Sequence, residues 1–280
     1  MVILMSALRV SGPAARAGFS CFAFLAFLLS PAGADELASH RAAYDLELVR
    51  SETSADIAGL DGRMVLEWSG TACEGYTLTQ RLVTRIYDTD GGLMVRDMRM
   101  TSWESGEGDT FRFEVQRYVD SKLEETVSGM AERGADGAYA DFSSPKAGRL
   151  LLPERVLFPS EFVRDLVSAA EKDEKLVTAT VFEGAEIDRY FDVSAFIGRR
   201  SVAETDLSAL EGEGAALGNE PSWPVQVSYF LPTDPEGLPD YQVSYRLFSN
   251  GVSSDMKLDY GDVVVQGKLT SLEFLIQDPC

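Results

Sequence analysis

Alternation of apolar and polar side chains dominates this chain. Tyr44, Leu46 and Leu48 alternate with Asp45, Glu47 and Val49, and Met64, Leu66 and Trp68 alternate with Val65, Glu67 and Ser69. The series Tyr76, Leu78, Gln80, Leu82, Thr84, Ile86 keeps one parity and ends at Asp88-Thr89-Asp90-Gly91-Gly92. Period two puts successive side chains on opposite faces of a strand, and glycine supplies the positive φ that a tight hairpin needs. The same pattern predicts strands over 93–104, 109–119, 122–132, 138–142, 176–183 and 187–199. It resumes over 223–231, 241–248, 252–259 and 262–276, with Asn250-Gly251 as a further hairpin turn.

One segment breaks the rhythm. Ser160 reads as an N-cap after Phe158-Pro159, Glu161 falls in the first turn, and Phe162, Val163, Leu166, Val167 and Ala170 recur at helical spacing. They predict one amphipathic helix of about 13 residues whose apolar stripe packs against the sheet. The polar stretch 204–220, with Gly212, Gly214 and Gly218, is read as an insertion loop, because strand chemistry of one kind lies on both sides. A dozen or more adjacent antiparallel strands without βαβ alternation describe an all-β protein. Its architecture is a closed or spiralling barrel, since closure removes exposed edges.

The first 34 residues follow another logic. Arg9 and Arg16 precede an apolar run from Phe19 to Leu29, then Ser30-Pro31 and the small triplet Ala32-Gly33-Ala34, with no acidic residue before Asp35. This is the layout of a cleaved Sec-type signal peptide, with the cut expected after Ala34. The run is about half the ~20 residues of a spanning helix, so no membrane span is expected in the mature chain. Residues 35–280 are then expected to form one β-barrel domain. Cleavage removes two arginines and leaves 23 basic against 45 acidic side chains, a formal charge of −22. That balance argues against nucleic acid and anionic lipid surfaces, which both require clustered cations.

Cys21 leaves with the leader, so Cys73 and Cys280 remain. In an oxidising compartment an even pair bonds; the alternatives are two free thiols or a metal site. No CxxC occurs, and His40 is the sole histidine. One histidine cannot make HExxH, and at the head of the first strand it reads as a structural residue. Asp88-x-Asp90-Gly91 resembles part of a calcium loop, but the later bidentate Glu is missing, which leaves a hairpin turn. No catalytic residue, cofactor or metal is indicated. Paired carboxylates stay open as a hydrolase alternative, with nothing to single out a pair among 45 acidic residues.

Several segments together resemble the cell-envelope integrity EipB-like proteins of Gram-negative bacteria. They begin with His40-Arg41-Ala42-Ala43-Tyr44-x-Leu46-x-Leu48 and Glu67-Trp68-Ser69-Gly70-Thr71-Ala72-Cys73-Glu74-Gly75-Tyr76, followed by Gln80-Arg81. Trp103-Glu104-Ser105, Phe111-x-Phe113, Leu152-Pro153 and Val156-Leu157-Phe158-Pro159 continue the series. Trp223-Pro224-Val225, Asn250-Gly251-Val252, Leu258-Asp259-Tyr260-Gly261-Asp262, Leu272-Glu273 and Cys280 complete it. The resemblance covers essentially the whole mature chain.

It implies a periplasmic, spiral-like β-barrel in the style of the lipoprotein carriers LolA and LolB, and a disulfide between Cys73 and Cys280. It also implies a non-enzymatic role in envelope maintenance, with a link to a periplasmic tetratricopeptide-repeat protein. A lipid or lipoprotein acyl chain is a second candidate partner. Trp68, Trp103, Phe111, Phe113 and Trp223 are the candidate lining residues for such a ligand, against the alternative that they are ordinary core. The third reading is a carboxylate-dependent hydrolase of envelope polysaccharide, which needs two carboxyls roughly 5–10 Å apart in a cleft.

A bridge closing about 200 residues removes denatured-state entropy worth roughly 5 kcal/mol, before strain and residual structure reduce it. Reduction, or Cys280→Ser, is therefore expected to lower the melting temperature by several degrees, measured by thermal denaturation with and without reductant. An unchanged midpoint would remove the staple.

Overall fold

The computed structural model describes residues 37–135, 137–202, 207, 210–234 and 237–277. The chain opens with a meander. β1 (His40–Ser51), β2 (Ile57–Thr71), β3 (Gly75–Asp88), β4 (Leu93–Glu104), β5 (Thr110–Val119), β6 (Lys122–Gly134), β7 (Gly137–Ser144) and β8 (Gly148–Leu152) each pair antiparallel with the strand before. A two-residue strand, β9 (Val156–Leu157), leads into α1 (Pro159–Glu171), and β10 (Leu176–Val181) returns parallel to β9. β11 (Phe191–Ile197) pairs with β10, and the short β12 (Ser201–Val202) and β13 (Glu211–Gly212) follow. β14 (Pro221–Phe230), β15 (Tyr241–Phe248), β16 (Ser253–Asp259) and β17 (Val263–Phe274) complete a second meander laid on β11.

β17 then pairs with β1 from His40↔Phe274 to Ser51↔Val263, which joins the two ends of the chain. The result is a nearly closed β-barrel. Among the described residues no strand pairing joins β8 to β9. At that break Arg133 of β6 donates to Val156 O at 2.7 Å and pairs with Glu161 at 3.0 Å, tying β9 and α1 to the first meander.

Closure decides which parity faces inward. Tyr44 and Leu46 of β1, Val193 of β11, Val227 of β14 and Leu247 of β15 are buried in one cluster. α1 adds Phe162, Leu166, Val167 and Ala170 to that same cluster, so its apolar stripe fills the barrel. Burying each large apolar side chain stabilises the fold by about 1.5–3 kcal/mol. A second cluster gathers Phe111, Phe113, Phe142, Phe158 and Phe182 beside β9. Their rings meet at centroid distances of 5.2 Å for the stacked pair Phe111–Phe158 and 5.5 Å for the edge-on pair Phe113–Phe182, within the range aromatic quadrupoles favour. Gly184 makes this approach feasible: its φ is +68°, and a Cβ there would fall 2.4 Å from Phe113 Cγ.

Three local expectations are corrected. The strand expected over 187–199 is confined to Phe191–Ile197, with a turn before it. The loop expected over 204–220 is partly structured: β13 adds to β17, and a 3-10 turn spans Gly214–Asn219. Residues 203–206 and 208–209 of that loop lie outside the described residues. The helix begins at Pro159, so Ser160 is inside its first turn and is not the N-cap. Proline suits that first position because its missing N–H would have no partner there and its φ is already helical.

The cap comes instead from 56 residues upstream. Both carboxylate oxygens of Glu104, the last residue of β4, accept from Ser160 N at 2.9 and 3.0 Å, and Oε1 also accepts from Ser160 Oγ at 2.9 Å. Trp68 Nε1 donates to the same Ser160 Oγ at 3.2 Å. A carboxylate at a helix N-terminus meets orphan N–H donors and the positive end of the dipole. Glu104 is nevertheless 3 % exposed, and desolvation outweighs those bonds, pushing its pKa up to about 7.

A folded-state pKa above the unfolded value means that the folded chain holds the extra proton. This contribution to stability is present below the ordinary carboxylate range and is lost as pH rises through about 7. Glu104→Ala, which leaves buried donors without an acceptor, is expected to cost about 2–3 kcal/mol, or about 4–12 °C of melting temperature. Between pH about 5 and about 9 the wild-type midpoint should fall more than that of Glu104→Gln, which carries no ionisable cap. Parallel pH profiles of the two proteins would contradict this account.

Candidate functional site

Inside the barrel, beneath α1, lies a cavity of about 140 Å³. Met64 and Leu66 of β2, Leu78 of β3, Phe162 and Val163 of α1, and Leu247 of β15 form its apolar wall. Its polar lining is His40, Gln80, Ser160, Glu183, Tyr229, Tyr245 and Ser253, and among the described residues no lysine or arginine lines it.

Each polar group is placed by a different element. Gln80 stands on the inward parity of β3, 2 % exposed, and its Nε2 has no hydrogen-bond partner. Glu183 follows β10 where the chain leaves the sheet, and its Oε2 accepts from Tyr241 OH at 3.1 Å. Burial pushes the Glu183 carboxyl up to about 7, and the same cause drives the Tyr229, Tyr241 and Tyr245 phenols upward, so they stay neutral. His40 Nδ1 donates to Ala38 O at 2.7 Å, and burial lowers its pKa, so the ring is neutral with Nε2 as an acceptor.

The candidate lining residues are not gathered at this cavity, although Trp103 and Phe113 share the lining of an open pocket on the barrel surface. Trp68 alone borders the cavity, stacked on Tyr76 at 5.1 Å. Phe111 and Phe113 belong to the phenylalanine cluster, a separate part of the core. Trp223 is 2 % exposed in the main cluster, and its Nε1 has no hydrogen-bond partner. Trp103 faces outward, because β4 turns Met100, Ser102 and Glu104 inward and Trp103 is out of phase with them. Arg112 lies over its ring, 5.3 Å from the centroid. Cys73 lies in the turn between β2 and β3, while Cys280 lies outside the described residues.

The two buried carboxyls have different positions. Glu104 is committed to the helix start and does not border the cavity; Glu183 does. Gln80 was visible as a polar residue on an apolar parity. Glu183 is the last residue of the strand expected over 176–183, but β10 ends at Val181 and leaves it in the irregular segment that follows. Asp88, at the end of β3, accepts from Asp90 N at 3.0 Å and Gly92 N at 2.7 Å, the bonds of a turn. Among the described residues no group of three or more His, Cys, Asp or Glu side chains is placed to hold a metal ion. Among the same residues, no helix is long and apolar enough to cross a membrane.

Comparison with known proteins agrees with this architecture. A family model described as EipB-like matches residues 31–276. The cell envelope integrity protein EipB of Brucella abortus (strain 2308) is 33% identical over 271 residues, covering 96% of this chain and 95% of that protein. The crystal structure of a β-barrel-like protein, a domain of unknown function from Brucella abortus, superposes with a TM-score of 0.81 at 34% identity. That match covers 87% of this chain and all of the other. A match of this extent in sequence, with the same barrel in space, places the chain in the EipB-like family.

Proposed function

We propose that this protein is a periplasmic cell-envelope integrity factor that acts by binding a partner protein and not by catalysis. The observation that carries the reading is the near full-length match to a relative bearing that name. The leader pattern in residues 1–34 supports export. The resemblance points to a periplasmic tetratricopeptide-repeat protein as the partner.

The cavity limits the lipid reading. Sites for drug-sized ligands measure about 300–1,000 Å³, and this one is about 140 Å³. An intact acyl chain does not fit within it, which favours a protein partner over carriage of a lipid. The hydrolase reading is not favoured either, because it needs two carboxyls facing one substrate and only one of the two buried glutamates borders the cavity.

The proposal includes the Cys73–Cys280 bridge. Cys73 is disulfide-bonded, and Gln277 Nε2 donates to Gly70 O at 2.8 Å, which brings the last described residue to the end of β2. Leu275 N bonds Ser39 O at 2.8 Å in the same region.

Deleting the gene in its host is expected to increase sensitivity to detergent and to cell-wall antibiotics. The full-length gene should restore resistance, and a version without residues 1–34 should not. Normal resistance in the deletion strain, or rescue by the leaderless version, would overturn the reading.

A further inference from the structure

We propose that the barrel cavity is a binding site for a small organic cation, an ammonium compound that also carries an oxygen, with Glu183 as its counter-ion. This does not rest on the envelope role, and the two can fail separately.

The chemistry of the lining selects the ligand's charge. Among the described residues Glu183 is the one acidic side chain lining it, and a neutral phenol, Tyr241, donates to it at 3.1 Å. Arg189, the basic residue in the segment after it, is already paired with Glu186. An anion entering the cavity would meet a carboxyl and no cation, leaving an uncompensated buried charge. A cation instead gives Glu183 a partner that none of the described residues lining the cavity supplies. Trp68, Phe162, Tyr229 and Tyr245 add ring faces around the same space, the environment in which ammonium groups are stabilised by aromatic quadrupoles. The formal charge of the whole chain, −20, favours the approach of cations over anions.

A second observation shows that the cavity lacks a polar partner. Gln80 is 98% buried by its 2 % exposure, borders the cavity, and leaves Nε2 unbonded. A buried donor without an acceptor costs about 1–3 kcal/mol. An oxygen on the ligand would take that bond while the ammonium meets Glu183. Size sets the last constraint. An apolar cavity of about 150 Å³ holds a molecule the size of benzene, so the ligand has about seven non-hydrogen atoms, the size of a small amino alcohol.

Binding is linked to a proton. In the neutral form, Glu183 must release its proton to solvent as the cation enters and the ion pair forms. Among the described residues the groups facing it are Tyr229, Tyr241 and Tyr260, which burial keeps neutral, and Glu186, which is paired with Arg189; the amino-terminal ammonium of the uncut chain, which pulls the carboxyl down, leaves with the leader proposed for residues 1–34. His40, on the cavity wall, is held neutral by burial. Glu183 is therefore the group in the site that changes charge near neutrality, and affinity rises with pH through about 7.

Choline tests this directly, because its charge does not change with pH. Calorimetry on the purified protein should give a Kd of about 0.1–1 mM at pH about 8. Binding should be about tenfold weaker at pH about 6, where a proton is released in a buffer-dependent heat. The neutral isostere 3,3-dimethylbutan-1-ol should bind at least about tenfold more weakly. Glu183→Gln should abolish choline binding while circular dichroism and the melting curve report a folded barrel. Equal binding of choline and the isostere to the wild type overturns the proposal without relying on a variant. So does choline binding that survives Glu183→Gln, or the absence of any choline binding, which would mean that water alone occupies the cavity.

Discussion

Ring closure is the constraint from which the other features follow. β1 is hydrogen-bonded along both edges, to β2 on one side and to β17 on the other, so residues more than 200 positions apart share one ladder. Once that ladder exists, every inward parity position is sealed from water at once. Apolar residues there gain the hydrophobic stabilisation of burial, and polar ones must find a partner or remain unsatisfied. Among the described residues the ladder is interrupted only between β8 and β9, which residues 153–155 join just ahead of α1, and Arg133 of β6 holds that edge.

The helix determines how much interior remains. Its apolar stripe enters the main cluster rather than lying on the outside, which reduces the lumen to a cavity of about 140 Å³. The start of α1 is fixed by Glu104, and Glu104 is held by its position at the end of β4. Helix and barrel are thereby coupled through one buried carboxyl, with Trp68 joining the same network through Ser160.

Glu104 and Glu183 are chemically alike, and burial raises both to about 7, yet their partners separate their roles. Glu104 has backbone and hydroxyl donors from a helix start, so it serves structure. Glu183 has one phenol and faces open space. A carboxyl with no cation among the described residues lining its cavity, and with aromatic side chains around it, suits binding better than stability. This is the basis on which the cavity was assigned a ligand class, and it is independent of the family's role in the envelope.

Much of the fold was legible because its causes are local. Alternation along β1 to β4 and β14 to β17 marked strands, and the helical spacing of Phe162, Leu166, Val167 and Ala170 placed α1 to within two residues of its start. The hairpins at Gly91 and Gly251 were marked by the residues that tolerate their φ of 89° and 85°. Tertiary structure decided the rest. Period two assigns residues to two faces without saying which face is inside, so Trp103 could be read as lining although closure turns it outward. Phe111 and Phe113 do point inward, but β9 and Phe182 draw them into a cluster away from the cavity. Ser160 looked like a helix cap because nothing in the local sequence announces Glu104, which arrives across the sheet. Glu183 lies in an irregular segment with no period to read. The sequence determined strands, turns and the helix, since these depend on neighbours in the chain; the lining of the cavity and the partners of its buried charges depend on contacts between distant residues, and only ring closure set those.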